Sequence, residues 1–242
     1  MAGESGGIMF INRNEVEVTL GRSSQFEATI DEWAAVQSQN AGFVGATLLQ
    51  SCANPGRYLL TSRWTDREAS IAAGRREQFT AFAASSLTSG LARATRLTES
   101  YESVFEVDQE GVNPVDENAE RWIDFSLTSP FVAPQFEESM RQLAEVVKQH
   151  APGFGSARLR RSAGKDTRYV LLLIMQNRDA ARGWLLVPEV RAALELSGRR
   201  EYLAGEPEAE IYAVVKRYVG PGFTAAQTTS VGVAGGHQVL RP

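Results

Sequence analysis

Asp124 is the carboxylate of this sequence whose setting best suits acid–base chemistry. It lies in the segment Trp122–Thr128, where polar and apolar residues alternate with the period of two that is typical of a half-buried β-strand. Trp122 and Asp124 therefore share the less apolar face of this strand. A carboxylate there can remove a proton from an acidic group if burial raises its pKa. The alternative is a solvated or salt-bridged strand residue, and three charged residues of an earlier strand allow the same two interpretations: Arg13, Glu15 and Glu17.

Tryptophans are the other residues that suit a binding site, because an aromatic wall packs well against an aromatic ligand. Trp64 ends an apolar segment, and it would either line such a pocket or fill the core at the end of a strand. Trp184 follows Arg182 in a helical segment where the lid of a pocket would lie, and its alternative is again a place in the core. Trp33, within another helical segment, is predicted to be a core residue.

Reactive residue types are otherwise scarce, which excludes several kinds of chemistry. The 242 residues include one cysteine, Cys52, so an internal disulfide and a cysteine-cluster metal site are both excluded. The two histidines, His150 and His237, make a histidine metal centre improbable. The sequence contains no glycine-rich phosphate loop and no dinucleotide fingerprint. We therefore predict no metal and no cofactor.

Composition and charge narrow the class of protein further. Hydrophobic residues make up 43% of the chain and charged residues 22%, as in an ordinary globular protein. A formal net charge of −4 means that the chain has no excess of positive charge to attract the phosphates of a nucleic acid. No apolar run approaches the roughly 20 residues that span a bilayer, and the N-terminal segment lacks the pattern of a signal peptide. We expect a soluble, cytoplasmic protein without a nucleic-acid or membrane partner.

An internal repeat positions these residues. The segment 41–51 aligns with 152–162 at an offset of 111 residues, and the register continues without a gap to Phe82 and Ala193. The identical pairs are Gly42/Gly153, Phe43/Phe154, Ala46/Ala157, Leu48/Leu159, Ser51/Ser162, Arg57/Arg168, Tyr58/Tyr169, Leu60/Leu171, Arg67/Arg178, Ala69/Ala180, Ala81/Ala192 and, further downstream, Tyr101/Tyr212 and Val104/Val215. A repeat of this length predicts two copies of one structural unit.

Each copy has the pattern strand, helix, strand, strand, helix, strand. In the first copy the predicted strands are 15–20, 45–51, 57–64 and 101–107, with helices over 25–39 and from Asp66 onward. In the second copy the predicted strands are 122–128, 156–162, 168–175 and 210–218, with helices over 136–150 and from the N-cap Asn177 onward. The predicted organisation is a first module over 8–107, an acidic linker over 108–119, a second module over 120–219 and an irregular tail over 220–242.

A four-stranded sheet with both helices on one side leaves its other face uncovered. The segment 169–175, Tyr-Val-Leu-Leu-Leu-Ile-Met, is apolar at every position, which predicts a strand buried on both faces. The equivalent face of the sister module is the simplest cover. We therefore predict an α+β fold in which two tandem ferredoxin-like modules pack sheet to sheet as a pseudo-twofold barrel. Single-module proteins would need a homodimer to build the same barrel.

Two segments of the first copy resemble the antibiotic biosynthesis monooxygenase family. The segment 41–47, Ala-Gly-Phe-Val-Gly-Ala-Thr, is similar to the Pro-Gly-Phe strand start of that family. The segment 58–69 is similar to its next strand, which ends in tryptophan and is followed by a helix start of the form Ser/Asp-x-Glu-Ala. The resemblance extends over about residues 10–107 and 120–219. It implies ferredoxin-like modules arranged as a dimeric α+β barrel.

The resemblance also implies a reaction. Family members related to the anthrone oxygenase of actinorhodin biosynthesis oxidise aromatic polyketide anthrones to quinones with molecular oxygen and no cofactor. The expected function is thus a cofactor-independent monooxygenase of natural-product biosynthesis, with a small aromatic substrate and molecular oxygen as partners. Two alternatives stay open: a polyketide cyclase with the same barrel, in which Asp124 would be the base, and a non-catalytic ligand-binding or scaffold protein. Further assembly into a homo-oligomer also stays open.

Position by position, the resemblance transfers only part of the oxygenase site. Trp64 matches the tryptophan at the strand end. The asparagine, histidine and tyrosine of the family fall at Leu60, Leu49 and Ser70. In the second copy the positions of the tryptophan, asparagine, histidine and tyrosine are Met175, Leu171, Arg160 and Ala181.

These observations yield a set of predicted site residues. The catalytic candidates are Trp64 and Asp124, and the substrate-binding candidates are Ser62, Ser70, Trp122 and Trp184. The third strand of the first copy ends in Thr-Ser-Arg-Trp over 61–64, whereas that of the second ends in Leu-Leu-Ile-Met over 172–175. An apolar strand offers nothing that orients a polar substrate. We therefore predict that the third-strand contribution to any active site comes from the first copy.

Overall fold

The chain forms a β-sheet flanked by helices in a computed structural model that describes residues 9–75, 90–110, 119–197 and 201–220. The strands are β1 (Phe10–Val18), β2 (Phe43–Ser51), β3 (Arg57–Trp64), β4 (Ala92–Asp108), β5 (Ala119–Ser126), β6 (Phe154–Ser162), β7 (Arg168–Met175) and β8 (Glu208–Val219). The helices are α1 (Ser23–Gln37), α2 (Arg67–Gly74), α3 (Ala133–His150), α4 (Arg178–Gly183) and α5 (Pro188–Ser197). None of the described helices is long and apolar enough to cross a membrane.

The eight strands close into one barrel. Around it the order is β1-β3-β2-β8-β5-β7-β6-β4, and every neighbouring pair is antiparallel. The first half of the chain contributes the order β4-β1-β3-β2, and the second half contributes the equivalent order β8-β5-β7-β6. The halves join through β2 with β8 and through β4 with β6. The predicted α+β fold, a pseudo-twofold barrel of two ferredoxin-like units, is confirmed.

Strand β7 shows how the barrel uses an apolar strand. Val170, Leu172 and Ile174 belong to the apolar cluster inside the barrel, together with Trp122 of β5. The alternate residues belong to the core between the second-half sheet and α3: Tyr169, Leu171, Leu173 and Met175. All seven residues are buried, so the strand is covered on both faces as its composition predicts.

Each half has its own core between the sheet and its helices. In the first half, Phe26, Ile30 and Trp33 of α1 pack against the sheet, and Trp33 is a core residue as predicted. In the second half, the apolar stripe of α3 packs against β6 and β7. These two cores lie outside the barrel, so the side chains of each strand alternate between a helix-covered face and the barrel interior.

The helix boundaries recur in both halves for the same local reasons. The carboxylate of Asp66 accepts a hydrogen bond from the Ala69 amide at 2.7 Å and caps α2, as Asn177 caps α4. Gly42 and Gly153 have φ angles of +86° and +72°, in the left-handed region that favours glycine. A side chain at Gly42 would also come within 2.7 Å of Ala69. The repeated glycine therefore has a conformational cause in each copy.

Two predicted boundaries are wrong. Strand β1 begins at Phe10 rather than Glu15, because the polar residues in its first part are paired within the fold rather than exposed in a loop. Strand β4 begins at Ala92, well before the predicted Tyr101, because its first part, Ala92–Glu102, pairs with β1. The proposed division into two modules stays a prediction. Most of its linker, and nearly all of its tail, lie outside the described residues.

Buried tyrosines tie helices to the barrel in both halves. The hydroxyl of Tyr58 donates to Glu27 of α1 at 2.8 Å, and that of Tyr169 donates to Glu137 of α3 at 2.7 Å. Burial raises the pKa of Tyr58 to about 12, and it also raises the pKa of Tyr169. The same direction holds for three further tyrosines: Tyr101, Tyr212 and Tyr218.

We expect alkaline pH to destabilise the fold. Because the pKa of Tyr58 in the folded chain exceeds its ordinary value of about 10, folding favours the protonated phenol. This stabilisation is fully present below pH 10 and is lost as the pH rises toward 12. Measurement of Tm between pH 8 and pH 11.5 should show a steep fall, and Tyr58→Phe should make it shallower. A flat Tm over this range would contradict the expectation.

Candidate functional site

The helix-covered face of the first-half sheet carries a group of polar side chains that we call the polar network: Asn12, Ser62, Ser70 and Ser100. Asn12 on β1 lies opposite Ser62 on β3 and opposite Ser100 on β4. The Ser100 hydroxyl donates to Asn12 Oδ1 at 2.8 Å, and Asn12 Nδ2 donates to Ser70 Oγ on α2 at 2.7 Å. Three strands and a helix therefore bring these groups together.

A pocket of about 420 Å³, the α2 pocket, opens beside the polar network. Its walls include Phe10, Ser70, Ile71 and Ser100, and its rim includes Lys165 of the turn between β6 and β7. Ser70 accepts a hydrogen bond from Asn12, which leaves its own hydroxyl proton able to donate into the pocket. The pocket thus combines one aromatic residue, Phe10, with an oriented hydrogen-bond donor, and most of its other lining residues are polar: Arg67, Thr98, Glu99, Ser100, Ser162 and Lys165.

Trp64 and Ser62 lie behind this pocket. Trp64 is opposite Phe10 in the pairing of β3 with β1, and its ring packs against Phe43 with centroids 5.2 Å apart. Its indole nitrogen donates to Ser62 Oγ at 3.1 Å. Trp64 is 3% exposed, and neither residue is among the described residues that line the α2 pocket. Among the described residues, Trp64 thus packs behind Phe10 and does not form the surface of the α2 pocket.

The second half has apolar residues at most positions of this polar network. The repeat offset of 111 places Leu173, Ala181 and Ile211 at the positions of Ser62, Ser70 and Ser100, and Met175 at that of Trp64. All four pack in or against the second-half core. The strand pairings place Arg121 at the position of Asn12. The asymmetry predicted from the third strands thus extends to the fourth strand and to the second helix.

A second pocket, of about 460 Å³, lies at one end of the barrel, which we call the acidic mouth. Its carboxylates are Glu15, Glu99, Asp124, Glu206 and Glu208, and its arginines are Arg13 and Arg168. Arg13 Nη1 donates to Asp124 Oδ1 at 2.5 Å, and the side chains are 4% and 38% exposed. Burial opposes the charge of Arg13, but the Asp124 carboxylate more than offsets this and raises the pKa of Arg13. Asp124 therefore lies in a pocket, with its carboxylate bound to an arginine.

Two equivalent ion pairs join the halves. Arg57 Nη1 on β3 donates to Glu210 on β8 at 2.6 Å, and Arg168 Nη1 on β7 donates to Glu99 on β4 at 3.1 Å. Glu210 and Glu99 differ by the repeat offset of 111, as do the two arginines. The arginine repeated in both copies therefore has the same structural role in each half.

Trp122 and Trp184 lie in two further places. Trp122 is 1% exposed inside the barrel, where the guanidinium carbons of Arg13 and Arg160 lie 5.0 Å and 5.8 Å from the centre of its ring. Its indole nitrogen donates to Glu120 at 3.0 Å. Trp184 is buried in the second-half core, beneath Arg121. The six predicted site residues thus occupy three locations: first-half face, barrel interior and second-half core.

Asn12 and Ser100 are not predicted as site residues from the sequence, although both belong to the polar network. The usable signal for Asn12 is its spacing from Phe10, since residues two apart on a strand share a face. Recognising it requires β1 to start at Phe10, five residues before the predicted start. The part of the chain that the structure describes contains no cluster of three histidine, cysteine, aspartate or glutamate residues that could hold a metal ion.

Comparison with known proteins agrees with this architecture. Residues 9–85 match the family model for antibiotic biosynthesis monooxygenase, which confirms the resemblance seen in the first copy. No curated protein sequence gives a significant match.

Solved structures share the fold at low sequence identity. A proposed monooxygenase of Fusobacterium nucleatum subsp. nucleatum ATCC 25586 has a TM-score of 0.69 and 12% identity, over 88% of this chain and 95% of that one. An anthrone oxidase-like protein has a TM-score of 0.66 and 15% identity, over 90% and 95%. A proposed monooxygenase of Lactobacillus acidophilus NCFM has a TM-score of 0.61 and 8% identity, over 88% and 96%. Both halves of the barrel are therefore found in these structures.

Proposed function

We propose, from the match of residues 9–85 to the antibiotic biosynthesis monooxygenase family, that this protein is a cofactor-independent monooxygenase acting on an aromatic, polyketide-like phenol or anthrone. The observation that supports the proposal is the α2 pocket, where Phe10 and Ile71 lie beside the polar network. A pocket that combines apolar residues with oriented polar groups suits a ligand with an apolar body and an oxygen to be oriented.

The reaction needs little from the protein apart from orientation and charge stabilisation. Loss of a proton from the CH₂ group of an anthrone gives an enolate, whose electrons reduce molecular oxygen directly. The CH₂ carbon becomes a carbonyl, one oxygen atom enters the product and the other leaves as water, so no external reductant is required. A hydrogen bond to the enolate oxygen lowers the barrier by stabilising the charge that develops there.

Ser70 is the donor proposed for that hydrogen bond. The relay from Ser100 through Asn12 to Ser70 fixes the Ser70 oxygen and leaves its proton able to donate to a ligand in the pocket. Glu99 also lines the pocket, but the hydroxyl of Tyr101 donates to it at 2.5 Å and Arg168 pairs with it. Because both oxygens of this carboxylate already accept hydrogen bonds from protein donors, we assign proton removal to solvent acting on an acidified substrate.

The proposal is tested by oxygen consumption. Purified protein is incubated with a panel of hydroxylated anthrones, and oxygen uptake is compared with quinone formation, with an expected ratio of one to one. An established anthrone oxygenase serves as positive control. Turnover that continues without oxygen would indicate a cyclase, and binding without turnover would indicate a non-catalytic protein. Either result would overturn the proposal, as would the absence of both binding and uptake.

Substitutions in the polar network should reduce activity without unfolding the chain. We expect Ser70→Ala to lower kcat by about 100- to 1,000-fold, the effect of removing one hydrogen-bond donor from a developing oxyanion. Asn12→Ala should have a smaller effect, because it frees Ser70 to rotate. Ser24→Ala, on the exposed surface of α1, is the matched control and should be neutral. Full activity of Ser70→Ala would remove Ser70 from the mechanism.

A further inference from the structure

Arginines point into the barrel from two strands on the side away from the acidic mouth. Arg57 begins β3 with its Nε 3.4 Å from Glu15 of the acidic mouth, and Arg63 lies six residues further along the strand, about 20 Å toward the other end. Arg63 lies four residues after Leu59 and therefore on the same face of β3, and Leu59 belongs to the apolar cluster inside the barrel. Arg158 and Arg160 lie on β6, and Arg160 contacts Trp122 of the same cluster. We call Arg63, Arg158 and Arg160 the interior arginines.

The positive charge of these arginines is only partly compensated. Glu106 lies 3.8 Å from Arg158, and Glu120 accepts the hydrogen bond of Trp122. Among the described residues, no carboxylate lies within ion-pair distance of Arg63 or Arg160. Burial, and next the charge of Arg158, lowers the pKa of both Arg63 and Arg160 to about 10. The surroundings thus disfavour the two charges, whereas a bound anion would favour them.

Arg160 is also short of hydrogen bonds. It is 3% exposed, and its Nε has no hydrogen-bond partner in the described structure. Gly45 leaves room for the guanidinium group of Arg63 because it has no side chain. A Cβ atom at this position would lie 3.3 Å from Arg63 Nη2. A buried guanidinium without full hydrogen bonding is costly unless a ligand or water completes it.

We propose that the barrel binds a small oxyanion, the carboxylate or phosphate group of a small molecule, between the guanidinium groups of Arg63 and Arg160. The planar guanidinium group matches both oxyanions through paired hydrogen bonds. An eight-stranded barrel is wide enough to hold one small ligand. Arg158 and Glu106 are 19% and 35% exposed, so they mark the side from which solvent and the anion reach the interior. This site is separate from the α2 pocket and does not depend on the proposed oxidation.

The test measures thermal unfolding of the full chain in inorganic phosphate and in acetate, each against sodium chloride at equal ionic strength. With phosphate or acetate at about 100 times its Kd, we expect Tm to rise by about 5 °C over the chloride control. Isothermal titration calorimetry gives the Kd directly. A response to phosphate alone, to acetate alone or to both identifies the group that is bound. No response beyond chloride overturns the proposal.

Two substitutions locate the anion. Arg160→Gln should abolish the rise in Tm, and Arg161→Gln, on the neighbouring residue whose side chain is 45% exposed, should retain it. Without anion, Arg160→Gln should be at least as stable as the parent, because it removes a buried and poorly compensated charge. Arg63→Gln provides the second variant if Arg160→Gln does not fold. Retention of the full response in a folded Arg160→Gln or Arg63→Gln protein would overturn the assignment.

Discussion

Replacing Trp122 by alanine is expected to lower the free energy of unfolding by about 3–5 kcal/mol, the range for truncating a large buried aromatic residue. The indole is 1% exposed at the centre of the barrel. Its removal leaves a void and takes the aromatic face away from both Arg13 and Arg160. It also leaves Glu120 without its hydrogen-bond donor. The loss therefore combines packing with the desolvation of charges that the ring now covers.

Chemical denaturation with urea measures this effect. Trp122→Phe should recover most of the lost stability, because it keeps an aromatic face and loses only part of the ring volume and the hydrogen bond to Glu120. Phe131→Ala is the surface control, since Phe131 is 88% exposed, and it should change stability by less than about 0.5 kcal/mol. A loss below about 1 kcal/mol for Trp122→Ala would show that the Trp122 ring does not contribute as a packed, buried side chain.

The second large effect is expected from reversing the charge of Arg13. Arg13→Asp places a third carboxylate beside Asp124 and Glu15 in a site where the present side chain is 4% exposed. Like charges that are buried together, without the guanidinium between them, should destabilise the fold by about 3–5 kcal/mol. The destabilisation should shrink as the pH falls, because protonation of the carboxylates relieves their repulsion.

A double-mutant cycle isolates the pair. Combining Arg13→Asp with Asp124→Arg restores opposite charges, so the double variant should be more stable than the sum of the single changes predicts, by at least about 1.5 kcal/mol. Strict additivity would mean that the contact contributes no coupling. Asp124→Asn tests the predicted catalytic role separately. If Asp124 acts mainly through Arg13, this variant loses stability but keeps its activity per folded molecule.

The fold was predictable because two signals act together. The repeat at an offset of 111 residues shows that both halves share one topology, and the apolar strand 169–175 requires cover on both faces. The start of β1 was not predictable in this way. Its segment from Asn12 to Glu17 carries charges and amides that are typical of a loop. They are accommodated by partners distant in sequence, such as Asp124, which local patterns do not reveal.

The candidate site likewise contains some residues that local sequence patterns predict and others that only tertiary packing places. Trp64, Ser62 and Ser70 are predicted from sequence and lie in one region, because strand order and helix start are local properties. Asp124 and Trp122 share a strand face as predicted, but that face points into the barrel. Which of two faces meets the barrel is decided by tertiary packing. The interior arginines have no sequence signature for the same reason, since strand arginines are usually exposed.

The contact between Arg13 and Trp122 has a consequence for proteins that build this barrel from two identical chains. The two residues occupy equivalent positions, because Arg13 lies opposite Thr61 on β3 as Trp122 lies opposite Leu172 on β7. In a homodimer one gene specifies both positions, so a residue that meets its own copy across the twofold axis always meets an identical side chain. Two arginines would repel each other there. Fusion gives each position its own codon, so an arginine can lie over a tryptophan ring, with its guanidinium carbon 5.0 Å from the ring centre.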